Sequence, residues 1–259
     1  MKNGKVFAIA NQKGGVGKTT TAVNLSACLG AAGKQVLLID LDPQGNSTSG
    51  VGIEKTSVES SIYDVLINDT PMVSSILKTE FDGLWLCPSG IDLAGAEIEL
   101  VMQEARENKL KRAIADVAAN YDYILIDCPP SLGLLTLNAF TAANGVIVPI
   151  QCEYYALEGL SQLTATIRRV KSVYNHALDI EGVVLTMFDG RTNLSIQVVD
   201  EVKKFFGNKV YATIIPRNVR LSEAPSFGQP IITYDINSRG AEVYIELAKE
   251  IIEANEGRK

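Results

Sequence analysis

A glycine-rich loop with two lysines lies near the start of the chain, where residues 11–20 have the sequence NQKGGVGKTT. Glycines allow successive backbone N–H groups to turn inward, and a helix that begins directly after them adds the positive end of its dipole. Together these features make a binding site for a polyphosphate. In such a loop Lys18 contacts the β- and γ-phosphates, and the Thr19 hydroxyl ligates Mg²⁺.

The loop departs from the common phosphate-loop pattern GxxxxGK[ST], because Gln12 stands where that pattern has its first glycine. A second lysine, Lys13, lies inside the loop. We predict that Lys13 contacts phosphate and reaches a nucleotide bound by a second subunit, since a cation supplied in trans stabilises transition-state charge. The alternative for Lys13 is a solvated surface charge.

A dinucleotide-binding fingerprint is one alternative interpretation of this segment, because Gly15 and Gly17 are followed by the acidic Asp40 at the end of the second apolar run. However, Thr20 replaces the third glycine of that fingerprint, and a Lys-Thr pair occupies the start of the helix. A glycine-rich turn without a ligand is the other alternative. Neither explains why strand, loop and helix all fall where phosphate binding requires them.

Carboxylates follow two further apolar runs. Asp40 and Asp42 come after VLLI, and alternate residues of an extended segment point the same way. We predict that Asp42 orients the attacking water and that Asp40 supports the metal and the loop; a turn cap before Pro43 is the alternative for this pair. Asp127 ends the run YILID, and this run matches a Walker B strand, whose final aspartate holds Mg²⁺. The predicted metal residues are therefore Thr19, Asp40 and Asp127.

The rest of the chain alternates short apolar runs with helical patterns, as βαβ units do. The predicted strands are 6–10, 35–40, 84–87, 123–127, 145–150, 182–188 and 210–215. The predicted helices are 18–31, 96–120, 132–143, 158–175, 194–206 and 240–254. This order predicts an α/β fold of the P-loop NTPase class: one domain over residues 1–259, with a mostly parallel twisted sheet flanked by helices on both faces. Residues 44–78 are the least periodic and are predicted to form a mobile insertion.

Composition excludes several classes of protein. With 46% hydrophobic and 21% charged residues, the chain is not intrinsically disordered. It contains no apolar run long enough to span a membrane and no signal segment, so we expect a cytoplasmic protein. One histidine, His176, excludes His-rich metal sites. The four cysteines form no CxxC pair and are predicted to be small buried hydrophobes; a cluster or zinc site is the alternative.

The segment KGGVGKTT at 13–20 resembles the deviant Walker A motif of the ParA/MinD ATPases. Four further segments are similar to chromosomal ParA proteins of the Soj type: DLDPQGN at 40–46, DCPPSLGL at 127–134, QCEYYALEGL at 151–160 and IPRNVRLSEAPS at 215–226. The resemblance extends from about residue 5 to residue 254, which is nearly the whole chain.

This resemblance implies a slow ATPase switch that uses ATP and Mg²⁺. The implied nucleotide-binding residues are Lys13, Gly14, Gly15, Val16, Gly17, Lys18, Thr19 and Thr20, with Pro216 and Asn218 at the adenine. ATP binding is expected to drive a sandwich homodimer in which each Lys13 touches the partner's nucleotide and Gly14 lies at the close contact. Lys13, Lys18 and Asp42 are the expected catalytic residues, with Asp42 needed for hydrolysis but not for binding.

The resemblance also implies that the dimer binds double-stranded DNA without sequence preference, and that a ParB-type centromere-binding partner stimulates hydrolysis and releases it. The expected location is therefore the nucleoid, and no membrane is involved. Residues 191–239 carry seven basic and four acidic residues, a net charge of +3 that leaves −9 for the remainder. Arg191 and Arg220 match the family's DNA-binding arginines. A solvated face of mixed charge is the alternative.

Two other functions are alternatives to this one, and each has its own sequence requirement. A membrane-cycling regulator of the MinD type requires a basic amphipathic C-terminal helix, but Glu246, Glu250 and Glu253 make the last helix acidic, and anionic lipid repels such a face. An iron–sulfur carrier ATPase requires cysteines that bridge two subunits, whereas Cys128 and Cys152 lie within apolar segments.

Overall fold

A single sheet forms the centre of the computed structural model, which describes residues 4–153 and 160–257. Its strands are β1 (Lys5–Ile9), β2 (Val36–Asp40), β3 (Leu77–Lys78), β4 (Leu84–Cys87), β5 (Tyr123–Asp127), β6 (Gly145–Gln151), β7 (Asp179–Phe188) and β8 (Val210–Pro216). Within the described residues these eight strands have the order β3-β4-β2-β5-β1-β6-β7-β8. Every pair is parallel except β3 with β4, so the predicted mostly parallel sheet is confirmed.

Helices cover both faces of this sheet. They are α1 (Lys18–Ala31), α2 (Asn46–Gly50), α3 (Ile62–Ile67), α4 (Leu93–Glu99), α5 (Lys109–Ala115), α6 (Leu134–Ala142), α7 (Leu160–Val173), α8 (Asn193–Phe206), α9 (Val219–Glu223), α10 (Ile231–Tyr234) and α11 (Arg239–Glu256). Short 3₁₀ turns lie at Lys55–Ser57, Met72–Ser75, Leu100–Met102, Arg106–Asn108, Ala118–Asn120, Gly207–Lys209 and Ala224–Phe227.

The core consists of two apolar layers, one on each face of the sheet. Along β2, Leu37 and Ile39 face a layer that contains side chains of α3 to α8, whereas Leu38 faces the layer formed with α1, α10 and α11. Strands buried on both faces have continuous apolar sequences rather than alternating ones, as β2 and β5 do. The predicted α/β architecture follows directly from this pattern.

The order of the strands creates a crevice above β1. The chain passes from β1 to strands on one side of it and, after β5, crosses to β6 on its other side. In open parallel sheets ligands bind beyond the carboxyl ends of the strands where the order reverses in this way. The loops that follow β1, β2 and β5 therefore meet at one place.

The prediction of one helix over 96–120 is wrong. The structure has α4 and α5 there, separated by 3₁₀ turns and by extended backbone at Gln103. Ala105 adopts the left-handed conformation with φ of 48°. Alanine carries no sequence signal for that conformation, so the interruption could not be read from residue types.

The prediction of a mobile insertion at 44–78 is also wrong. This segment contains α2, α3 and β3, and the side chains of Ile62, Leu66 and Met72 are buried in the core. A capping box between Ser61 and Asp64 starts α3. The apolar residues are distributed over short turns, so no helical or strand period marks them in the sequence.

Several predicted boundaries are confirmed within a few residues, α1 among them. The predicted helix 158–175 corresponds to α7, whose described part begins at Leu160. Residues 154–159, which include most of the segment 151–160 that supported the resemblance, lie outside the described residues.

The C-terminal helix α11 packs against β8 and α1 through its apolar side. Val243, Tyr244, Leu247 and Ile251 are buried there, so the apolar face that a membrane would bind is occupied by the core. No helix in the described ranges combines the length and hydropathy needed to cross a bilayer.

Gly30, near the end of α1, is a position where the fold requires a glycine. A Cβ at Gly30 would lie 2.3 Å from the Asp82 carbonyl oxygen. We predict that Gly30→Ala lowers the free energy of unfolding by about 1–3 kcal/mol, because backbone must move to relieve the overlap. Urea unfolding measures the change.

Gly95→Ala in α4 is the matched control, since a Cβ there meets only the carboxylate of Glu99 at 3.0 Å, the end of a flexible side chain. It should stabilise the protein by up to about 1 kcal/mol through helix propensity. Equal stabilisation by both substitutions would contradict the close packing at Gly30.

Candidate functional site

The glycine-rich loop joins β1 to the N-terminus of α1. Gly15 and Gly17 have φ of 71° and 88°, a conformation that favours glycine. Gly17 precedes α1 and no side chain caps the helix there, so the first-turn N–H groups remain available to an anion. A Cβ at Gly14 or Gly15 would meet no atom within 4 Å, which leaves open space above the loop.

Two buried side chains outside the KGGVGKTT motif at 13–20 hold this loop. Asn11 Nδ2 donates to the Pro149 carbonyl of β6 at 2.7 Å, and Asn11 Oδ1 accepts from the Lys13 N–H at 3.0 Å. Thr186 Oγ1, on β7, donates to the Val16 carbonyl at 2.9 Å. The backbone at Lys13 is therefore held through Asn11 by the neighbouring strand.

Lys18 is the buried cation of the site. Its Nζ donates to the Lys13 carbonyl at 3.1 Å, and its side chain is shielded from solvent. Burial lowers the pKa of Lys18, while the negative charges of Asp127 and Asp42 act in the opposite direction. A buried ammonium with a carbonyl as its hydrogen-bond acceptor is well matched to an incoming anion.

Asp127 and Asp40 lie side by side, because they are register partners at the ends of β5 and β2. Asp127 Oδ2 accepts from Ser47 Oγ at 2.8 Å, and the Thr19 side chain lies close enough to Asp127 to lower its pKa. Asp127 Oδ1 is buried and has no hydrogen-bond partner. An unpartnered buried carboxylate oxygen is costly unless a ligand completes it.

Asp40 supports the loop that follows β2. Its Oδ2 accepts from both the N–H and the hydroxyl of Thr48, each at 2.7 Å, and its Oδ1 accepts from the Asp42 N–H at 3.3 Å. Both oxygens of Asp40 are therefore already engaged within the chain.

Asp42 begins a turn before Pro43, and a turn cap at this place is the alternative role that the sequence analysis gave for Asp42. Its Oδ1 accepts from the Gln44 N–H at 2.9 Å, and its carbonyl accepts from the Gly45 N–H at 2.8 Å. Ser89 Oγ donates to the same carbonyl at 2.8 Å. Asp42 thus caps its own turn and at the same time lies close enough to Lys18 to affect that group's pKa.

Burial raises the pKa of Asp40 and of Asp127 above the ordinary value for a carboxyl group. At Asp127 the negative charge of Asp40 adds to this effect, while the hydrogen bond from Ser47 and the nearby Thr19 side chain oppose it. At Asp40 the hydrogen bonds from Thr48 oppose it. Two adjacent buried carboxylates need a compensating cation.

A magnesium ion that accompanies a nucleotide fits this set of residues. The ion usually takes one or two protein oxygens, phosphate oxygens and several waters. Asp127 Oδ1 and the Thr19 hydroxyl are the protein oxygens suited to it, whereas Asp40 is committed to Thr48 and Asp42. No cluster of three or more His, Cys, Asp or Glu side chains in the described part of the chain could hold a metal ion unaided.

A cavity of about 360 Å³ opens next to the phosphate loop and is a candidate for the base of the nucleotide. Gly17 and Thr20 line one side of it, and Pro216 and Asn218 line another. Pro216 ends β8, and Asn218 caps α9 by accepting from the Arg220 N–H at 2.8 Å. The structure thus brings both predicted adenine-contacting positions to the loop.

The two predicted DNA-contacting arginines follow β7 and β8, at the same edge of the sheet as the phosphate loop. Each is exposed and paired with carboxylates. Arg191 forms two hydrogen bonds to Asp189 at 2.7 and 2.8 Å, and Arg220 lies 2.8 Å from Glu223 and 3.5 Å from Asp235. The charge count over 191–239 leaves out Asp189, so the basic surface is weaker than the sequence count suggests.

Five of the supporting residues have no role in the sequence-based prediction. These residues are Asn11, Ser47, Thr48, Ser89 and Thr186. Asn11, Ser47 and Thr48 adjoin the motifs, so their small polar side chains offered a weak signal. Ser89 and Thr186 offered none, because their partners are distant in sequence.

All four cysteines are buried and free, as predicted. Burial raises the pKa of Cys28 and of Cys152 to about 12 and raises that of Cys87 and Cys128 as well. Thiolates are the metal-binding form of cysteine, and these environments disfavour that form.

Comparison with known proteins extends the resemblance over nearly the whole chain. A family model described as an AAA domain matches residues 4–180. The sporulation initiation inhibitor protein Soj of Bacillus subtilis is 64% identical over 248 residues, which cover 96% of this chain and 98% of that protein. The chromosome partitioning protein ParA of Myxococcus xanthus is 56% identical over 249 residues, which cover 96% and 88%.

Among solved structures, cobyrinic acid a,c-diamide synthase from Mycobacterium smegmatis with bound ADP and magnesium superimposes with a TM-score of 0.87. It is 39% identical and covers 99% of this chain and 97% of that one. The similarity therefore includes every strand that carries the site.

The raised pKa of Asp127 predicts a pH-dependent stability of the nucleotide-free protein. A carboxyl group whose pKa is higher in the folded state than in the unfolded state stabilises the fold in its protonated form. This stabilisation is complete below the unfolded-state pKa of about 3.9, and it is lost as the pH rises through the folded-state pKa. We predict that Asp127→Asn removes this loss and raises the free energy of unfolding at pH 8 by on the order of 2 kcal/mol. At pH 4 the gain should be small.

Thermal or urea unfolding across this pH range measures the effect. Asp200→Asn on α8, an exposed carboxylate, is the control and should leave the pH profile unchanged. An Asp127→Asn protein that is less stable at pH 8 would mean that Lys18 already stabilises the charged carboxylate in the resting protein.

Proposed function

The chain belongs to the ParA/MinD family of P-loop proteins, among the Soj-type chromosomal ParA proteins, and from this premise we propose that it is an ATP-driven switch in chromosome partitioning. The observation that carries the proposal is the buried Lys18 ammonium beside Asp127, whose Oδ1 has no partner, at the mouth of an uncapped helix. These groups are complementary to a magnesium–nucleotide complex. ATP is the nucleotide that the family implies.

In this proposal the phosphate loop binds ATP through its backbone N–H groups and through Lys18. Thr19 and Asp127 hold Mg²⁺, which neutralises phosphate charge when bound. Asp42 orients the attacking water, and Asp40 keeps the Asp42 loop in place through Thr48. Pro216 and Asn218 contact the adenine from the neighbouring cavity.

ATP is proposed to drive formation of a homodimer across the open face of the loop. Within one chain a side chain at Gly14 would meet nothing, so any requirement for glycine there arises from the nucleotide or from a second subunit. Lys13 is held by Asn11 and is proposed to touch the nucleotide of the partner. A cation placed in this way stabilises charge that develops during hydrolysis.

The ATP-bound dimer is proposed to bind double-stranded DNA through Arg191 and Arg220. Both arginines follow strands that end at the same edge of the sheet as the phosphate loop. DNA phosphates would replace Asp189, Glu223 and Asp235 as their partners. Contacts of this kind carry no base specificity.

A ParB-type centromere-binding protein is the proposed partner that stimulates hydrolysis and releases the dimer from DNA. Two relatives with 64% and 56% identity carry the names Soj and chromosome partitioning protein ParA, which supports this assignment. We accordingly propose a cytoplasmic protein associated with the nucleoid. The membrane-cycling and iron–sulfur alternatives are not favoured, since the apolar side of α11 and the cysteines are buried.

The decisive experiment is DNA binding by Asp42→Ala on a random duplex at fixed salt, with Mg·ATP and with Mg·ADP. We predict binding with ATP only, because the variant holds ATP without hydrolysing it and remains dimeric. Fluorescence anisotropy gives the affinity, and sedimentation velocity gives the oligomeric state.

Lys18→Ala combined with Asp42→Ala is the control and should bind DNA in neither state, since it lacks the phosphate contact. Equal binding by Asp42→Ala with both nucleotides would contradict a nucleotide-gated switch. Rapid ATP turnover by Asp42→Ala would remove Asp42 from the mechanism.

The arginine assignment is tested by Arg220→Ala in the Asp42→Ala background. We predict that the negative slope of log affinity against log salt becomes shallower by about 0.9 for each arginine removed, and therefore by about twice that in a dimer. ATP-dependent dimerisation should persist. Arg239→Ala is the matched control, because Arg239 is similarly exposed and pairs with Glu242 in α11. An unchanged slope for Arg220→Ala, or an equal change for Arg239→Ala, would contradict the assignment.

A further inference from the structure

An apolar stripe lies on the outer side of α4 and of the turn that follows it. It comprises Ile91, Ala94, Ile98, Val101 and Met102, and we name it the α4 outer stripe. Their spacing of three and four residues places them along one side of a helix. Ile91, Ile98 and Met102 are 74%, 76% and 88% exposed.

The inner side of the same helix is also apolar. Leu93, Ala96 and Leu100 are fully buried and belong to the core. A helix with apolar residues on two opposite sides is normally covered on both of those sides. Four of the large apolar side chains that are exposed in the described part of the chain fall within residues 91–102. This concentration marks an interaction surface rather than scattered exposure.

The surroundings of the α4 outer stripe are acidic. Residues 91–105, which contain the stripe, have four carboxylates and no lysine or arginine. Asp92, Glu99 and Glu104 are exposed beside the stripe. Arg106, the first cation after it, is engaged with Glu107 and with the Val101 carbonyl.

We propose that the α4 outer stripe binds a basic amphipathic helical segment of a partner protein. Apolar side chains of the segment would cover the stripe, and its lysines or arginines would meet the carboxylates of Asp92, Glu99 and Glu104. A second copy of this chain would bring like charges together, and DNA or an anionic membrane would be repelled. Charge complementarity therefore selects a cationic protein segment.

Helix α4 would lie between the bound segment and the loop that follows Asp127 in the nucleotide site. Glu97, on α4, packs against Gly133, where an added Cβ would lie 2.1 Å from Glu97 Oε1. Gly133 precedes α6 and ends the loop that follows Asp127. The same helix thus contacts the proposed partner on one side and this loop on the other.

A fluorescent peptide of leucine and lysine, with its leucines on one side over about five helical turns, is the probe. Anisotropy at low and high salt measures its affinity for the full chain. The double variant Ile98→Ser/Met102→Ser should bind at least about tenfold more weakly, because it loses apolar contact area. Glu99→Gln/Glu104→Gln should bind more weakly at low salt and show a flatter salt dependence.

Val173→Ser is the matched control, since Val173 is an exposed apolar residue at the end of α7 and should leave the affinity unchanged. A peptide of the same composition with its leucines scattered should bind weakly. Equal binding of that peptide, or undiminished binding by Ile98→Ser/Met102→Ser, would overturn the proposal. Self-association of the unaltered chain that this double variant abolishes would assign the stripe to a second copy and overturn it too.

This test uses neither nucleotide nor DNA. A negative result therefore leaves the proposed ATPase and DNA-binding functions standing, and failure of those functions leaves the docking surface standing.

Discussion

Burial of like charges at the carboxyl edge of the sheet is the constraint on which the site depends. Asp40 and Asp127 end adjacent strands and are both inaccessible to solvent. Such a pair is tolerated only with hydrogen bonds and nearby cations, which Ser47, Thr48 and Lys18 supply. The arrangement still leaves one Asp127 oxygen without a partner. The site is therefore complementary to a cation that is bound to an anion, and ATP in cells is such a complex, of Mg²⁺ with the phosphates.

The parallel sheet brings separate functions to one edge. Strands β1, β2 and β5 end at the phosphate loop, Asp40 and Asp127, while β7 and β8 end near Arg191 and Arg220. The phosphate site and the proposed DNA contacts therefore share one edge of the sheet. The acidic α4 follows β4, near one end of the strand order, whereas the arginines follow β7 and β8 at the other end.

The sequence predicted the strands and α1 well, because buried parallel strands have continuous apolar runs and α1 follows a glycine-rich loop. It failed between 96 and 120, where Ala105 adopts a left-handed conformation that alanine does not signal. It also failed at 44–78, where short turns bury Ile62 and Leu66 without a helical or strand period. Local periodicity detects regular elements, and it is silent about irregular segments that are stabilised by tertiary packing.

Residue types and their spacing are sufficient to predict the chemistry of the site: a phosphate loop with two lysines, and carboxylates at the ends of two strands. Those features depend on residue type and on short spacings, and parallel strands must end at a common edge. Only the tertiary structure decided that Asp127 keeps a free oxygen, that Thr186 supports Val16, and that the arginines are paired with carboxylates. Ser47 and Asp127 are 80 residues apart, and Thr186 and Val16 are 170 apart. Contacts over such separations arise from packing of the whole chain, which no local pattern encodes.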